Sequence, residues 1–246
     1  MTTTLLVAAG LVLGACSSGS PGPPPASAGT TETRAIPASI SQAPLIDQHG
    51  QTVTLASLHG KTVMLVPFLT LCSDICPLTT GNLLQVEQSL QAADLASKVE
   101  LVELSVDPGR DTTARLAAYA HLTEATWPLV NESDAVLNAF DTFFGFNHQI
   151  VAQDNPPAVD WMTGQPLTYD VNHSDGYVLI GADGTERYTT GAAPNFHGTL
   201  NPTLHAFLND EGLTHLAHPQ AFSWTPSDAL VSLGWLLGES IPLHTG

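Results

Sequence analysis

The chain has 246 residues, 43% of them apolar and 12% charged, a balance that suits one packed domain with a tail at each end and excludes disorder of the whole chain. Six Lys and Arg stand against 23 Asp and Glu, a formal net charge of −17, and a surface of that sign repels phosphate backbones, which excludes nucleic acid as a partner. The three cysteines, Cys16, Cys72 and Cys76, are an odd number and cannot all pair within one chain.

Leu5 to Ala15 is an unbroken apolar run, too short for a membrane-spanning helix, which needs about 20 residues, and of a length that suits the core of a signal peptide. It ends in Leu13-Gly14-Ala15-Cys16, a string that resembles a bacterial lipobox, in which small residues precede a cysteine that is lipidated and becomes the new N-terminus. The absence of Lys or Arg before Leu5 predicts that the natural start lies upstream. The Gly/Ser/Pro/Ala-rich stretch that follows reads as a flexible tether over residues 17–39. These features predict residues 1–16 as a lipoprotein signal, Cys16 as the lipidation site, and a domain held by its lipid on the extracytoplasmic face of the bacterial membrane. Thiols there oxidise readily, so a free cysteine pair needs a metal or a reductant.

Pro44 to Leu58 alternates around His49-Gly50 and predicts a hairpin. Lys61 to Leu69 is a continuous Val/Leu-rich run, the pattern of a strand buried on both faces. After a cysteine loop, Pro77 to Leu95 predicts a helix: Pro suits the first turn, and Leu83, Leu84, Val86 and Leu90 form an apolar stripe. Val99 to Val106 is a second buried strand, Asp107 to Asp111 a turn, and Thr112 to Leu122 a helix. Trp127 to Val130 is a short strand, and Ser133 caps a helix to Phe144. Val151 to Thr168 reads as a loop. Asp183-Gly184 turns a hairpin between Tyr177–Gly181 and Arg187–Thr190. Thr199 to Leu208 is expected as the closing helix, and Thr225-Pro226-Ser227-Asp228 starts another, too short to cross a membrane and expected to pack on the domain. This order predicts an α/β, thioredoxin-like mixed sheet flanked by helices, with an N-terminal hairpin extension. The domain is expected over residues 40–209, with a C-terminal extension over 210–246.

The segment Phe68-Leu69-Thr70-Leu71-Cys72-Ser73-Asp74-Ile75-Cys76-Pro77 follows a buried strand and precedes a helix. A helix N-terminus offers unpaired N–H groups and partial positive charge, both of which favour thiolate over thiol. Redox enzymes of this fold usually carry two residues between the cysteines. Here there are three, a loop that can close into a Cys72–Cys76 disulfide or let two sulfurs flank an ion. Paired thiolates select Cu(I), Zn(II) or cluster iron. Structural zinc wants four ligands, whereas Cu(I) accepts three, and with no other cysteine in the mature domain the third is expected to be a histidine. His173, just before the Tyr177 strand, enters the sheet opposite the cysteine loop and is the candidate by topology. His49, His59, His197, His205, His215, His218 and His244 are expected to be exposed, His215 and His218 forming at most a weak second metal site.

Together these residues resemble the Sco/SenC family of copper proteins over about Pro44 to Leu208. The elements occur in family order: Gly60-Lys61, Cys72-x-x-x-Cys76-Pro77, Ser105-Val106-Asp107-Pro108-x-Arg110-Asp111-Thr112, and His173-Ser174 before a strand and Asp183-x-Thr185. The resemblance implies copper, as Cu(I) or Cu(II), bound by Cys72, Cys76 and His173. It also implies the copper-containing subunit of cytochrome c oxidase as recipient and a copper donor protein upstream. The implied role is a metallochaperone rather than an enzyme that turns over substrate. Asp107, Arg110 and Asp111 are read as structural, a turn stapled by side-chain hydrogen bonds and an ion pair. The sequence departs from the family at Ser73, where Pro is common, in Gln153 to Thr168, and beyond Leu208. Met162 is expected to pack rather than ligate.

Three other readings use the same residues. A thiol–disulfide oxidoreductase would attack with Cys72 and resolve with Cys76, keeping the oxidase cysteines reduced without needing His173. A structural lipoprotein would hold an inert Cys72–Cys76 disulfide, although so small a loop gains little chain entropy. A peroxiredoxin-like peroxidase fits the hairpin-strand start but not the cysteine pattern.

Overall fold

A computed structural model describes residues 21–244; the signal segment, Cys16 and its lipobox lie outside the described residues. The centre is one eight-stranded sheet in the order β1-β10-β9-β4-β5-β6-β2-β3. Its core strands are β4 (Thr62–Phe68), β5 (Val99–Ser105) and β6 (Leu129–Asn131), which run parallel, and the antiparallel pair β9 (Tyr177–Ile180) and β10 (Thr185–Thr190). The hairpin β2 (Leu45–Asp47) and β3 (Thr52–Val53) extends one edge through β6. The sequence-derived mixed sheet and N-terminal hairpin are therefore present.

Every residue of β4 is buried, as expected of a strand covered on both faces. Met64, Val66 and Phe68 point to one layer, built from α2 (Cys76–Ala92), α3 (Thr113–Thr123) and α7 (Pro226–Leu237). Val63 and Leu65 point to the other, built from the short α1 (Ala38–Ser41), the 3-10 turn Leu55–Leu58 and α4 (Asp134–Phe144). Ser133 caps α4 through the N–H of Val136, as its sequence predicts.

The structure corrects three expectations. Thr30–Ala35 is strand β1, paired antiparallel to β10 and tied by Arg34 to Glu186, so the ordered domain starts within the predicted 17–39 tether. The predicted loop over Val151–Thr168 is flanked by a hairpin of β7 (His148–Val151) and β8 (Asp170–His173). The helix near Thr199–Leu208 shortens to α5 (Pro202–Phe207) and does not close the fold. That place belongs to α7, whose Leu230 and Leu233 pack with Leu83, Val86 and Leu90 of α2. The helix of the 210–246 extension packs on the domain as expected: α6 (Asp210–Ala217) follows α5, and β11 (Ala193–Pro194) pairs with β12 (Ser223–Trp224) to lead into α7. Among the described residues no helix is long and apolar enough to cross a membrane.

Glu103, fully buried in β5, accepts hydrogen bonds from Thr80 Oγ1 at 2.9 Å and Trp127 Nε1 at 2.9 Å. Burial outweighs those bonds and pushes its carboxyl from 4.5 up to about 7. A carboxyl whose folded pKa is raised contributes stability below its unfolded value and loses it as pH rises through the folded value. Stability should therefore fall by about 3 kcal/mol between pH 4 and 8 through this group. In Glu103→Gln the amide can accept from Trp127 and donate to Thr80 Oγ1, so that loss should vanish. Urea midpoints across pH test this, and parallel profiles for wild type and variant would refute it.

Candidate metal centre

The cysteine loop runs from the end of β4 to the start of α2. Ile75 caps α2 without a side-chain hydrogen bond, and Pro77 occupies the first turn. The vacant capping role falls to sulfur: the backbone N–H of Cys76 points at Cys72 Sγ, 3.4 Å away. Both cysteines are free thiols, Cys72 half-buried and Cys76 buried. His173, the last residue of β8, brings Nε2 to 3.3 Å from Cys76 Sγ. The two sulfurs and one imidazole nitrogen lie within 4.8 Å of one another, the one such cluster of three or more His, Cys, Asp or Glu ligand atoms among the described residues.

Three of the four site residues named from sequence are thus brought together, and Cys16 lies outside the described residues. His173 Nδ1 lies 2.8 Å from the Ser174 carbonyl, so Nδ1–H donates there and Nε2, which faces the sulfurs, is the nitrogen left to ligate a metal. The Cys72 thiol is held well below the usual thiol range, first by its hydrogen bond with Cys76 and further by His173, against the cost of burial. Burial pushes Cys76 well above that range, helped by the charge on Cys72. Burial alone would lower the His173 imidazole, but its hydrogen-bond and charge interactions with Cys72 raise it overall. The two thiols are thus shifted in opposite directions, Cys72 toward the thiolate and Cys76 toward the thiol. The donor set of two sulfurs and one neutral nitrogen is soft, compact and three-membered, which fits Cu(I) and leaves tetrahedral structural zinc one ligand short.

The Asp107–Asp111 turn holds both ligand segments. Buried Asp111 accepts from the Thr70 N–H at 3.2 Å, from Thr70 Oγ1, and from Ser105 Oγ at 2.7 Å, fixing the cysteine loop to β5. Arg110 pairs with Asp107, lies 3.7 Å over the Tyr169 ring and donates to the Tyr169 carbonyl at 2.8 Å. Tyr169 Oη returns a bond to Asp107 at 2.9 Å, so the entry to β8, and with it His173, is fixed to the same turn. The structural role read from the sequence is present, and it extends from the turn itself to the two ligand-bearing segments.

A cavity of about 250 Å³ opens on the site, lined in part by Cys72, His173, Asp74, Asp154, Asp170, Asp175 and Glu211, with no Lys or Arg in its lining. Burial raises Asp175 to about 6. So acidic a mouth attracts cations. Two other residues differ from expectation. Met162 is 47% exposed rather than packed. His215 is half-buried, its Nδ1 2.6 Å from Asp74 Oδ1, rather than an exposed tail histidine.

A family model described as SCO1/SenC matches residues 35–195. A putative copper-binding protein of Stutzerimonas stutzeri is 29% identical over 178 residues, 72% of this chain and 79% of that protein. A mitochondrial SCO2 homolog of Mus musculus is 29% identical over 141 residues, 57% of this chain, and the match spans about half (51%) of that relative's own length. The apo Sco1 protein of Thermus thermophilus superposes with a TM-score of 0.51 at 21% identity, covering 77% of this chain and 94% of that one, a likeness of fold.

Proposed function

The chain belongs to the SCO1/SenC family, and on that premise we propose that it binds one copper ion through Cys72, Cys76 and His173 and hands it to the copper-containing subunit of cytochrome c oxidase. The observation that carries this reading is the convergence of two thiols and one imidazole within 4.8 Å at the mouth of an acidic cavity. Copper is cargo here, so the site must release it as well as hold it. A half-buried Cys72 and His173 beside a buried Cys76 suit ligand exchange with a docked recipient. We propose further that a lipid on Cys16 holds the domain at the extracytoplasmic face of the membrane, and mass spectrometry of the mature protein tests this: an unmodified Cys16 would reject it.

Anaerobic titration of the reduced protein with Cu(I) should saturate at one equivalent. His173→Ala should weaken binding by about 100-fold or more, beyond the ~10–100-fold typical of losing an outer-shell partner, with the far-UV spectrum unchanged. Wild-type affinity in His173→Ala would reject the site.

The unequal exposure of the two thiols favours a second reading. A half-buried Cys72, its thiol lowered, before a buried Cys76, its thiol raised, is the arrangement of an attacking and a resolving thiol. In that role the dithiol would reduce a recipient disulfide and itself become the Cys72–Cys76 disulfide. Reductase activity kept in His173→Ala and lost in Cys72→Ser would support it.

A further inference from the structure

The helices α5 and α6 lie beyond the residues matched by the family model and before the closing helix α7. They do not cover the sheet centre; α6 sits on the cysteine loop. The backbone N–H of Asn209, the N-cap of α6, donates to the Ser73 carbonyl at 2.7 Å. Gly212 presses on that carbonyl and the next: a Cβ there would fall 2.7 Å from the carbonyl oxygens of both Ser73 and Asp74. Gly212 lies inside the helix, so close approach rather than an unusual backbone accounts for the missing side chain. Nearly one turn on, His215 Nδ1 meets Asp74 Oδ1. At the end of α5, just before that N-cap, Phe207 stacks on Tyr119 with centroids 5.8 Å apart and packs against Trp161 at 5.5 Å. Trp161 in turn donates Nε1–H to the Thr70 carbonyl at 2.8 Å. Thr70, Ser73 and Asp74 are thus each gripped from outside the loop.

We infer that α6 is a clamp on the ligand loop, with Asn209, Gly212 and His215 as positioning residues that hold the Ser73–Asp74 peptide so that both sulfurs face His173. In its metal aspect the inference rests on the copper reading; in its structural aspect it does not. Three residues between the cysteines leave a loop with many closures, and Ser73 supplies no ring to restrict them. The clamp orders that loop during folding, so that metal capture does not bear the cost of ordering it.

The test uses the full reduced chain in three variants. Gly212→Ala should strengthen an isolated helix by propensity, yet here it forces α6 off the loop. His215→Ala removes the bond to Asp74, and His215→Asn offers an amide nitrogen near the position of Nδ1. Without metal, iodoacetamide should alkylate Cys72 at least about fivefold faster in Gly212→Ala and His215→Ala, a change on the scale of losing one charge-assisted hydrogen bond, and near the wild-type rate in His215→Asn. Cu(I) affinity should fall about tenfold in the first two, as for other outer-shell losses. Wild-type alkylation rates in both would overturn the clamp, whatever the copper result. If wild type takes up no copper while the variants still alkylate faster, the copper reading fails and the clamp stands. Amide exchange at Asn209 in the wild type decides the matter should a variant not fold: slow exchange supports the bond to Ser73, and exchange at the free-peptide rate overturns it.

Discussion

Replacing Cys76 with Ser should abolish Cu(I) binding while leaving the protein folded. The side chain is buried at the first turn of α2, its sulfur 3.3 Å from His173 Nε2 and at the convergence of the ligand atoms. Serine keeps the shape but offers a hard hydroxyl that stays protonated, and Cu(I) selects soft, deprotonated donors. A lone thiolate with one imidazole does not hold the ion against a competing chelator, so the loss should exceed that of His173→Ala. Cys72→Ser should bind as poorly, and it also removes the sulfur that accepts the Cys76 N–H at the helix start. Competition with a chromophoric Cu(I) chelator under anaerobic conditions measures both. Near-wild-type affinity in Cys76→Ser would mean that the ion is held elsewhere.

Asp111→Ala should destabilise the fold by about 3–5 kcal/mol, because it strands three donors in a site without solvent. Those donors are the Thr70 N–H, Thr70 Oγ1 and Ser105 Oγ, and Asp111 itself is fully buried. Asp111→Asn can keep the arrangement, with its carbonyl accepting from the Thr70 N–H and Ser105 while its amide donates to Thr70 Oγ1, and should cost no more than about 1 kcal/mol. Chemical denaturation of the pair tests the claim, and equal stability of the two variants would show that Asp111 does not tie the loop to β5. Because Thr70 begins the segment that carries Cys72, Asp111→Ala should also weaken copper binding, and Asp111→Asn should not.

The parts of this fold that the sequence makes plain are those whose burial is local and periodic. β4 is covered on both faces and reads as an apolar run, and β5 is buried along nearly all its length although Glu100 and Glu103 interrupt its apolar residues. α2 and α4 carry Pro77 and the Ser133 cap where such residues belong. The cysteine motif is legible for the same reason: it sits where a buried run meets a helix start. His173 is legible by topology, although it ends a strand rather than occupying a loop. β1 is not legible, because Thr30–Ala35 is polar and largely exposed and is held by its ladder to β10 and by Arg34 to Glu186, 152 positions away. β7 and β8 are hidden similarly: Ile150 is 65% exposed, and the two strands meet across a long loop. The contacts that grip the cysteine loop, Thr70 with Trp161 and Asp74 with His215, span 91 and 141 positions and leave no periodic trace. One local signal for α6 was available, Asn209 followed by Asp210-Glu211, a capping residue before an acidic first turn.

The most direct measurement is X-ray absorption at the copper edge of the reduced protein loaded with one equivalent of Cu(I). Cys72, Cys76 and His173 predict two sulfur scatterers and one imidazole nitrogen, the nitrogen disappearing in His173→Ala. A spectrum without sulfur, or one that His173→Ala leaves unchanged, would contradict the assignment.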